Sequence, residues 1–142
     1  MESKAVFIAY QDPSWLVPLS NRLMSRGYSL ESSQILSEVL RWVRRKSESV
    51  LLLDDEMEGI KASDLIPLFK KLNPKIPIVL ISSEQSIGFV KRLRGAGIFY
   101  QAMKPVDVEE IRSAVDCAFE KIEREQPSEG FLHLFFAGEV PA

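Results

Sequence analysis

The sequence has very little of the two residue types that most often build zinc and disulfide sites. It contains one cysteine, Cys117, and one histidine, His133. A single cysteine cannot form a disulfide within the chain, and this pair is too small a set for a structural zinc ion. A Ser-His-Asp or Cys-His site would have to use His133, which follows the last regular pattern of the chain. We therefore expect neither a zinc site nor catalysis of these types.

A strong charge excess and long apolar runs are missing as well. The 18 Lys and Arg residues nearly balance 20 Asp and Glu residues, and the formal net charge is −2. Binding to the phosphate backbone of nucleic acids depends on a basic excess, which this composition lacks. No window approaches the roughly 20 apolar residues of a membrane span. The composition predicts a cytoplasmic protein that binds neither nucleic acid nor membranes.

The chain is long enough for one compact domain, because its 142 residues fall within the usual range for a single domain. A turn-rich linker is predicted at residues 126–130, after a domain over residues 1–125. An apolar tail follows over residues 131–142, with Phe-Leu-His-Leu-Phe-Phe at its start. Such a tail is too apolar to stay in water, so we expect it to dock. The short linker favours docking on a second copy, which would form a homodimer, over docking on the same domain.

Short apolar runs alternate with segments of helical periodicity along the domain. Continuous apolar runs are typical of strands that are covered on both faces of a sheet. The segments between them repeat apolar residues with a period near 3.6, which indicates helices. The strand candidates are residues 5–9, 28–32, 50–53, 76–81 and 98–103. The pattern therefore predicts an α/β fold with five parallel strands joined by helical crossovers.

Three polar residues follow strands whose carboxyl ends should meet at one edge of this sheet. Asp54 follows the third strand, Ser82 the fourth and Lys104 the fifth. Ligands gather at this edge in parallel sheets of this kind. The trio suits a phosphorylated carboxylate, with Asp54 as the nucleophile, Ser82 donating to a phosphoryl oxygen and Lys104 neutralising charge.

Four short motifs occur in one order and with ungapped spacing, and together they resemble the receiver domain of two-component response regulators. The resemblance covers about residues 4–124. The motifs are Pro13 with Leu19, Leu23, Gly27 and Tyr28; Asp54 with Met57 and Gly59; Pro77 with Ser82 and Ser83; and Gly97 with Lys104 and Pro105.

The resemblance implies both a fold and a set of roles. The fold would be flavodoxin-like, a doubly wound (βα)5 unit with strand order 2-1-3-4-5, here with a C-terminal extension. Asp54 would be the phosphoacceptor, and Ser82 and Lys104 would contact the phosphoryl group. The partner would be a sensor histidine kinase or a downstream signalling protein. The domain would be a signalling module and not an enzyme.

The sequence departs from the family at the metal site. Family members carry two acidic residues at the end of the first strand that help to hold Mg²⁺, and here these positions are Tyr10 and Gln11. Because Mg²⁺ prefers carboxylate and water oxygens, an amide and a phenol replace them poorly. Asp54 and Asp12 are then the remaining candidate metal ligands, and we expect Mg²⁺ to bind only weakly.

Two further positions depart from the family pattern. The usual proline after Met57 is Glu58, and the aromatic switch position is Gln101, with Tyr100 displaced by one residue. The favoured interpretation is an atypical receiver that acts through protein–protein interaction and whose regulation is at least partly independent of Mg²⁺-assisted phosphorylation.

Two alternatives stay open. In the first, the domain is a working phosphoacceptor, with Asp12 and Asp55 helping to hold the metal beside Asp54. In the second, it is a flavodoxin-like enzyme, which is less favoured because the turn after the first strand lacks a glycine-rich or hydroxyl-rich phosphate cradle.

Overall fold

The computed structural model describes residues 4–45, 48–84 and 87–125. The predicted linker at 126–130 and the predicted apolar tail at 131–142 lie outside these residues. No helix in the described part of the chain combines the length and the apolar character that crossing a membrane requires.

Five parallel strands form the central sheet, and two very short strands form a separate antiparallel hairpin. The strands are β1 (Ala5–Ala9), β2 (Ser29–Ser33), β3 (Ser49–Leu53), β4 (Glu56–Met57), β5 (Ile60–Lys61), β6 (Ile78–Ser82) and β7 (Tyr100–Met103). The central sheet has the order β2-β1-β3-β6-β7, and β4 pairs with β5. The predicted order 2-1-3-4-5 is confirmed, since the hairpin lies outside the central sheet.

Helices cover both faces of the central sheet. They are α1 (Leu16–Ser25), α2 (Leu36–Arg44), α3 (Ala62–Leu72), α4 (Ile87–Ala96) and α5 (Val108–Glu125), and a short 3-10 turn (Pro13–Trp15) precedes α1. Alternate residues of one strand enter different cores. Val6 and Ile8 of β1 pack with α1 and α5, whereas Phe7 and Ala9 pack with α2, α3 and α4. Both faces of β1 are therefore apolar, which is why its sequence is a continuous run.

The β4–β5 hairpin is a feature that the sequence analysis did not predict. Its two-residue turn is formed by Glu58 and Gly59, whose φ angles are +51° and +79°. Two positive φ angles are the signature of a type I′ turn, which matches the twist of a two-stranded ribbon. Each strand has only two residues, too few to show a period of two. The hairpin lies directly after β3 and so places Glu56 beside the carboxyl edge of the sheet.

Candidate functional site

An open cleft of about 230 Å³ lies at the carboxyl edge of the central sheet. It is lined by residues that follow β1, β3 and β7, namely Gln11, Asp12, Asp54, Asp55, Glu56 and Lys104. Parallel strands end at the same edge, so residues that are distant in the chain meet there. The structure thus brings Asp54 and Lys104 together as the sequence predicts. Their roles in phosphoryl chemistry stay predictions.

Asp54 is buried and fully hydrogen-bonded. Its side chain is 1% exposed. Its Oδ1 accepts from Lys104 Nζ at 2.7 Å and from the Asp55 N–H at 2.8 Å. Its Oδ2 accepts from the Gln11 N–H at 2.8 Å and the Asp12 N–H at 3.1 Å. Because an ionised carboxylate has about four acceptor sites, every site on Asp54 is occupied by a donor of this chain.

Lys104 lines the cleft and bridges two carboxylates. Its Nζ lies 2.7 Å from Asp54 Oδ1 and 3.3 Å from Asp55 Oδ2, and its side chain is 24% exposed. Burial alone would lower the pKa of Lys104, but the hydrogen bond and charge of Asp54, with the charge of Asp55, outweigh it and raise the pKa. The ammonium group is therefore held in its charged form between the two acids.

Asp55 is the site residue whose contacts the sequence analysis did not predict. Its Oδ2 accepts from Ser83 Oγ at 3.0 Å, and its two oxygens lie 3.3 and 3.2 Å from the Ser83 nitrogen. Burial opposes its ionisation, but the hydroxyl of Ser82, the Ser83 N–H and the charge of Lys104 outweigh this effect and lower the pKa of Asp55. The available signal was Ser83 itself, a second hydroxyl directly after Ser82.

Ser82 is fully buried at the end of β6. Its Oγ accepts from the Glu84 N–H at 3.0 Å, and its hydroxyl also stabilises the charged form of Asp55. The backbone N–H of Lys104 donates to the Ser82 carbonyl at 2.9 Å, which holds β6 and β7 together at this edge. Ser82 therefore lies at the same edge of the sheet as Asp54 and Lys104, and its predicted contact with a phosphoryl group stays a prediction.

The side chains of the three residues that follow β1 contact other residues of the chain. Tyr10 packs edge-on against Trp15, with ring centroids 6.5 Å apart. The Gln11 side chain accepts from the Glu58 N–H at 3.1 Å. Asp12 Oδ1 accepts from the Ser14 N–H at 2.9 Å and so caps the 3-10 turn. These contacts engage the side chains of Tyr10 and Gln11 and one oxygen of Asp12.

This arrangement does not fit Mg²⁺. All acceptor sites of Asp54 are taken, and Asp12 Oδ1 is bound to the 3-10 turn. Within residues 4–45, 48–84 and 87–125 there is no group of three or more Asp, Glu, His or Cys residues that could hold a metal ion. Weak binding of Mg²⁺ by Asp54 and Asp12 therefore stays a prediction, and the engaged oxygens of these two residues are compatible with it.

The switch position is occupied by a hydrogen bond donor. Gln101 Nε2 donates to the Glu84 carbonyl at 3.2 Å and so ties β7 to the loop after β6. The displaced aromatic residue, Tyr100, is 38% exposed. Its hydroxyl donates to Glu110 Oε2 at 2.7 Å, at the start of α5. Tyr100 and Gln101 therefore contact different elements, as expected for neighbours in a strand.

Comparisons with known proteins agree with this fold. The response regulator receiver domain model matches residues 6–116. The transcriptional regulatory protein GlrR of Escherichia coli (strain K12) is 29% identical over 110 residues, which cover 78% of this chain and 25% of GlrR. The DNA-binding transcriptional regulator NtrC of Klebsiella pneumoniae is 27% identical over 146 residues, which cover 100% of this chain and 31% of NtrC. The chain thus spans about a quarter to a third of the length of these relatives.

Solved structures share the same architecture. A CheY-like receiver domain protein from Methanospirillum hungatei JF-1 superposes with a TM-score of 0.79 at 20% identity, covering 88% of this chain and 100% of that chain. The beryllofluoride-activated NtrC4 receiver domain dimer superposes with a TM-score of 0.73 at 21% identity, covering 83% and 97%. These likenesses show the fold, and the family model covers most of the domain. The chain therefore belongs to the response regulator receiver domain family.

Proposed function

We propose that this chain is an atypical receiver module that signals through protein–protein contact without phosphorylation of Asp54. Receiver domains are signalling modules and not enzymes, so the function lies in what the domain binds. The observation that carries the proposal is the state of Asp54, which is buried and accepts four hydrogen bonds. Attack on phosphorus needs a free lone pair on a carboxylate oxygen. In this arrangement Asp54 has none to offer.

The residues after β1 support the same proposal. Mg²⁺ assists phosphoryl transfer by neutralising charge on the transferred group, and it is held by oxygen ligands. Tyr10 and Gln11 supply no carboxylate, and the Gln11 amide oxygen is bound to the hairpin at Glu58. The missing acidic pair and the four hydrogen bonds to Asp54 therefore both disfavour phosphorylation of Asp54.

The alternative is a working phosphoacceptor that takes a phosphoryl group on Asp54 from a sensor histidine kinase with Mg²⁺. It is supported by the meeting of Asp54 and Lys104 at 2.7 Å, with Ser82 at the same edge. For this reaction Asp54 would have to release the N–H groups of Gln11 and Asp12, so a local rearrangement would precede phosphorylation. Family membership gives no support to the flavodoxin-like enzyme.

The partner that we propose is a protein, either a sensor histidine kinase or a downstream signalling protein. The relatives GlrR and NtrC are named as transcriptional regulators, but the match covers only a quarter to a third of each. The net charge of −2 gives the domain no basic excess for binding DNA directly. A homodimer formed through residues 131–142 stays a prediction, since those residues lie outside the described ranges.

The test is phosphorylation of the full chain by a small acyl phosphate. We expect incubation with acetyl phosphate and Mg²⁺ to leave the intact mass unchanged, and beryllofluoride to leave the amide spectrum near Asp54 unchanged. A variant with Tyr10→Asp and Gln11→Asp together restores the acidic pair and should bind Mg²⁺ more tightly than the wild type. Saturable phosphorylation of the wild type that is lost in Asp54→Ala would establish the alternative instead.

A further inference from the structure

Lys104, which the sequence analysis assigned to a phosphoryl oxygen, and Ser83, the neighbour of Ser82, both contact a carboxylate of the chain itself. Lys104 Nζ lies 3.3 Å from Asp55 Oδ2, and Ser83 Oγ donates to the same oxygen at 3.0 Å. The Ser83 N–H donates to both Asp55 oxygens, and the Ser82 hydroxyl stabilises the charged form. A cation, a backbone N–H and the Ser83 hydroxyl therefore contact Asp55 directly, and Ser82 lies beside them at the end of β6. We call this set of Ser82, Ser83 and Lys104 the anion pocket.

We propose that Asp55 is a built-in occupant of the anion pocket, and that its carboxylate takes the place of a phosphoryl group carried by Asp54. The inference rests on the proposed function, because it states which group occupies the anion pocket when Asp54 is not phosphorylated. A carboxylate and a phosphoryl group share what such a pocket recognises, namely negative charge and oxygens that accept hydrogen bonds. Asp55 is adjacent to Asp54 in the chain, so it reaches the pocket from the same strand end.

The occupant also obstructs entry of another anion. The side chain of Asp55 is 30% exposed and lines the cleft, whereas that of Asp54 is 1% exposed. An incoming anion would have to displace Asp55 from Lys104 and Ser83, and its charge would be repelled by the displaced carboxylate. The wild-type pocket is therefore closed to free anions.

The occupied pocket is connected to the switch position by two hydrogen bonds. Ser82 Oγ accepts from the Glu84 N–H at 3.0 Å, and the Glu84 carbonyl accepts from Gln101 Nε2 at 3.2 Å. The loop after β6 is thus held between the anion pocket and β7. Asp55 stabilises this arrangement by fixing Ser83, the residue next to Ser82, as a bound phosphoryl group would.

The sequence carries a second acid and a second hydroxyl directly after two of the motif residues. Asp55 supplies a second carboxylate directly after the predicted phosphoacceptor, and Ser83 supplies a second hydroxyl directly after Ser82. These two residues contact each other at 3.0 Å. The additional acid and the additional donor therefore occur as a bonded pair.

The test is a sulfate titration of the ¹⁵N-labelled full chain at constant ionic strength. We expect Asp55→Ala to change the amide shifts of Ser83, Glu84 and Gln101, and added sulfate to return them toward the wild-type values. Sulfate should bind this variant about tenfold or more tightly than the wild type, because the competing carboxylate has been removed. Glu56→Gln is the matched control, because it removes one charge from the same cleft and leaves the pocket filled. It should behave as the wild type does.

Two results would overturn the inference. One is sulfate binding to the wild type as tight as to Asp55→Ala. The other is an Asp55→Ala spectrum that is unchanged at Ser83, Glu84 and Gln101. If Asp55→Ala does not fold, Asp55→Asn retains the shape without the charge and is held to the same criteria. Phosphorylation of wild-type Asp54, read from intact mass, would separately overturn the proposed function, so the two failures are distinguishable.

Discussion

At the scale of single residues, the site depends on how a buried charge is compensated. Asp54 is almost fully buried, and Lys104 is its cationic partner at 2.7 Å. Burying a carboxylate lowers the stability of the fold unless the carboxylate is paired and hydrogen-bonded. Removing one partner of such a pair lowers the free energy of unfolding more than replacing both partners with apolar residues does. Three backbone N–H groups also compensate Asp54, so the pair is not its only support.

We expect Lys104→Met to destabilise the domain by about 2–4 kcal/mol, because the Asp54 and Asp55 carboxylates would lose the ammonium group that contacts them both. The change in the free energy of unfolding can be measured by urea denaturation. Lys71→Met is the control, because Lys71 is exposed on α3 and its replacement should have almost no effect. Equal stability of Lys104→Met and the wild type would show that solvent, and not the lysine, compensates the two acids.

At the scale of elements, the β4–β5 hairpin links the site to helix α2. Glu58 Oε2 accepts from the N–H of Leu36, the first residue of α2, at 2.8 Å. Ile35, which precedes the helix, makes no side-chain capping bond, so Glu58 caps the helix from outside its own segment. A carboxylate also interacts favourably with the positive end of a helix. The positive φ of Glu58 is therefore maintained by two contacts, to Leu36 and to Gln11.

Restoring the family proline at position 58 should damage this hairpin. Proline cannot adopt the φ of +51° found here, and it lacks the N–H that donates to Gln11. We expect Glu58→Pro to cost more than about 1 kcal/mol of stability, and Glu58→Gln to cost about 0.3–1 kcal/mol through loss of the charged cap. Thermal unfolding measures both, with Glu56→Gln as the control on the same hairpin. A Glu58→Pro domain as stable as the wild type would contradict the type I′ turn.

At the scale of the whole molecule, a network of hydrogen bonds joins the segment between α1 and β2 to helix α5. Asp116 of α5 accepts from Arg26 at 3.0 Å, from Arg112 at 2.7 Å and from the hydroxyl of Tyr28, and its side chain is 14% exposed. Burial alone would raise the pKa of Asp116, but the hydrogen bonds from Tyr28, Arg112 and Arg26 outweigh it and lower the pKa. The pKa of Tyr28 is raised, mainly by burial of its hydroxyl and secondly by the hydrogen bond to Asp116 and the charge of that residue.

This network predicts a particular dependence of stability on pH. Because the pKa of Asp116 is lowered on folding, its contribution is present above the ordinary value near 4 and is lost as pH falls through the lower folded value. The raised pKa of Tyr28 means that its contribution is lost as pH rises above about 10. We expect the difference in unfolding free energy between wild type and Asp116→Asn to shrink on acidification below about pH 4. Glu120→Gln, on the exposed side of α5, is the control. A difference that stays constant down to about pH 2 would contradict this role for Asp116.

The sequence by itself determined the fold and the approximate position of the site. Strands covered on both faces must be apolar throughout, so their runs were visible, although the structure moves the ends of four strands by one or two residues. Parallel strands end at one edge, so the meeting of Asp54 and Lys104 followed from topology. These features depend on repeated patterns and on chain order, both of which a sequence displays directly.

Only the tertiary structure decided how the site residues are used. The sequence could not show that four donors saturate Asp54, because two of them are backbone N–H groups following β1, a different strand. Nor could it show that Asp55 points at Ser83 and Lys104, since the direction of a side chain after a strand end is set by its contacts. The reason is physical: backbone donors are present at every residue except proline, and only folding selects which of them meet a given acceptor.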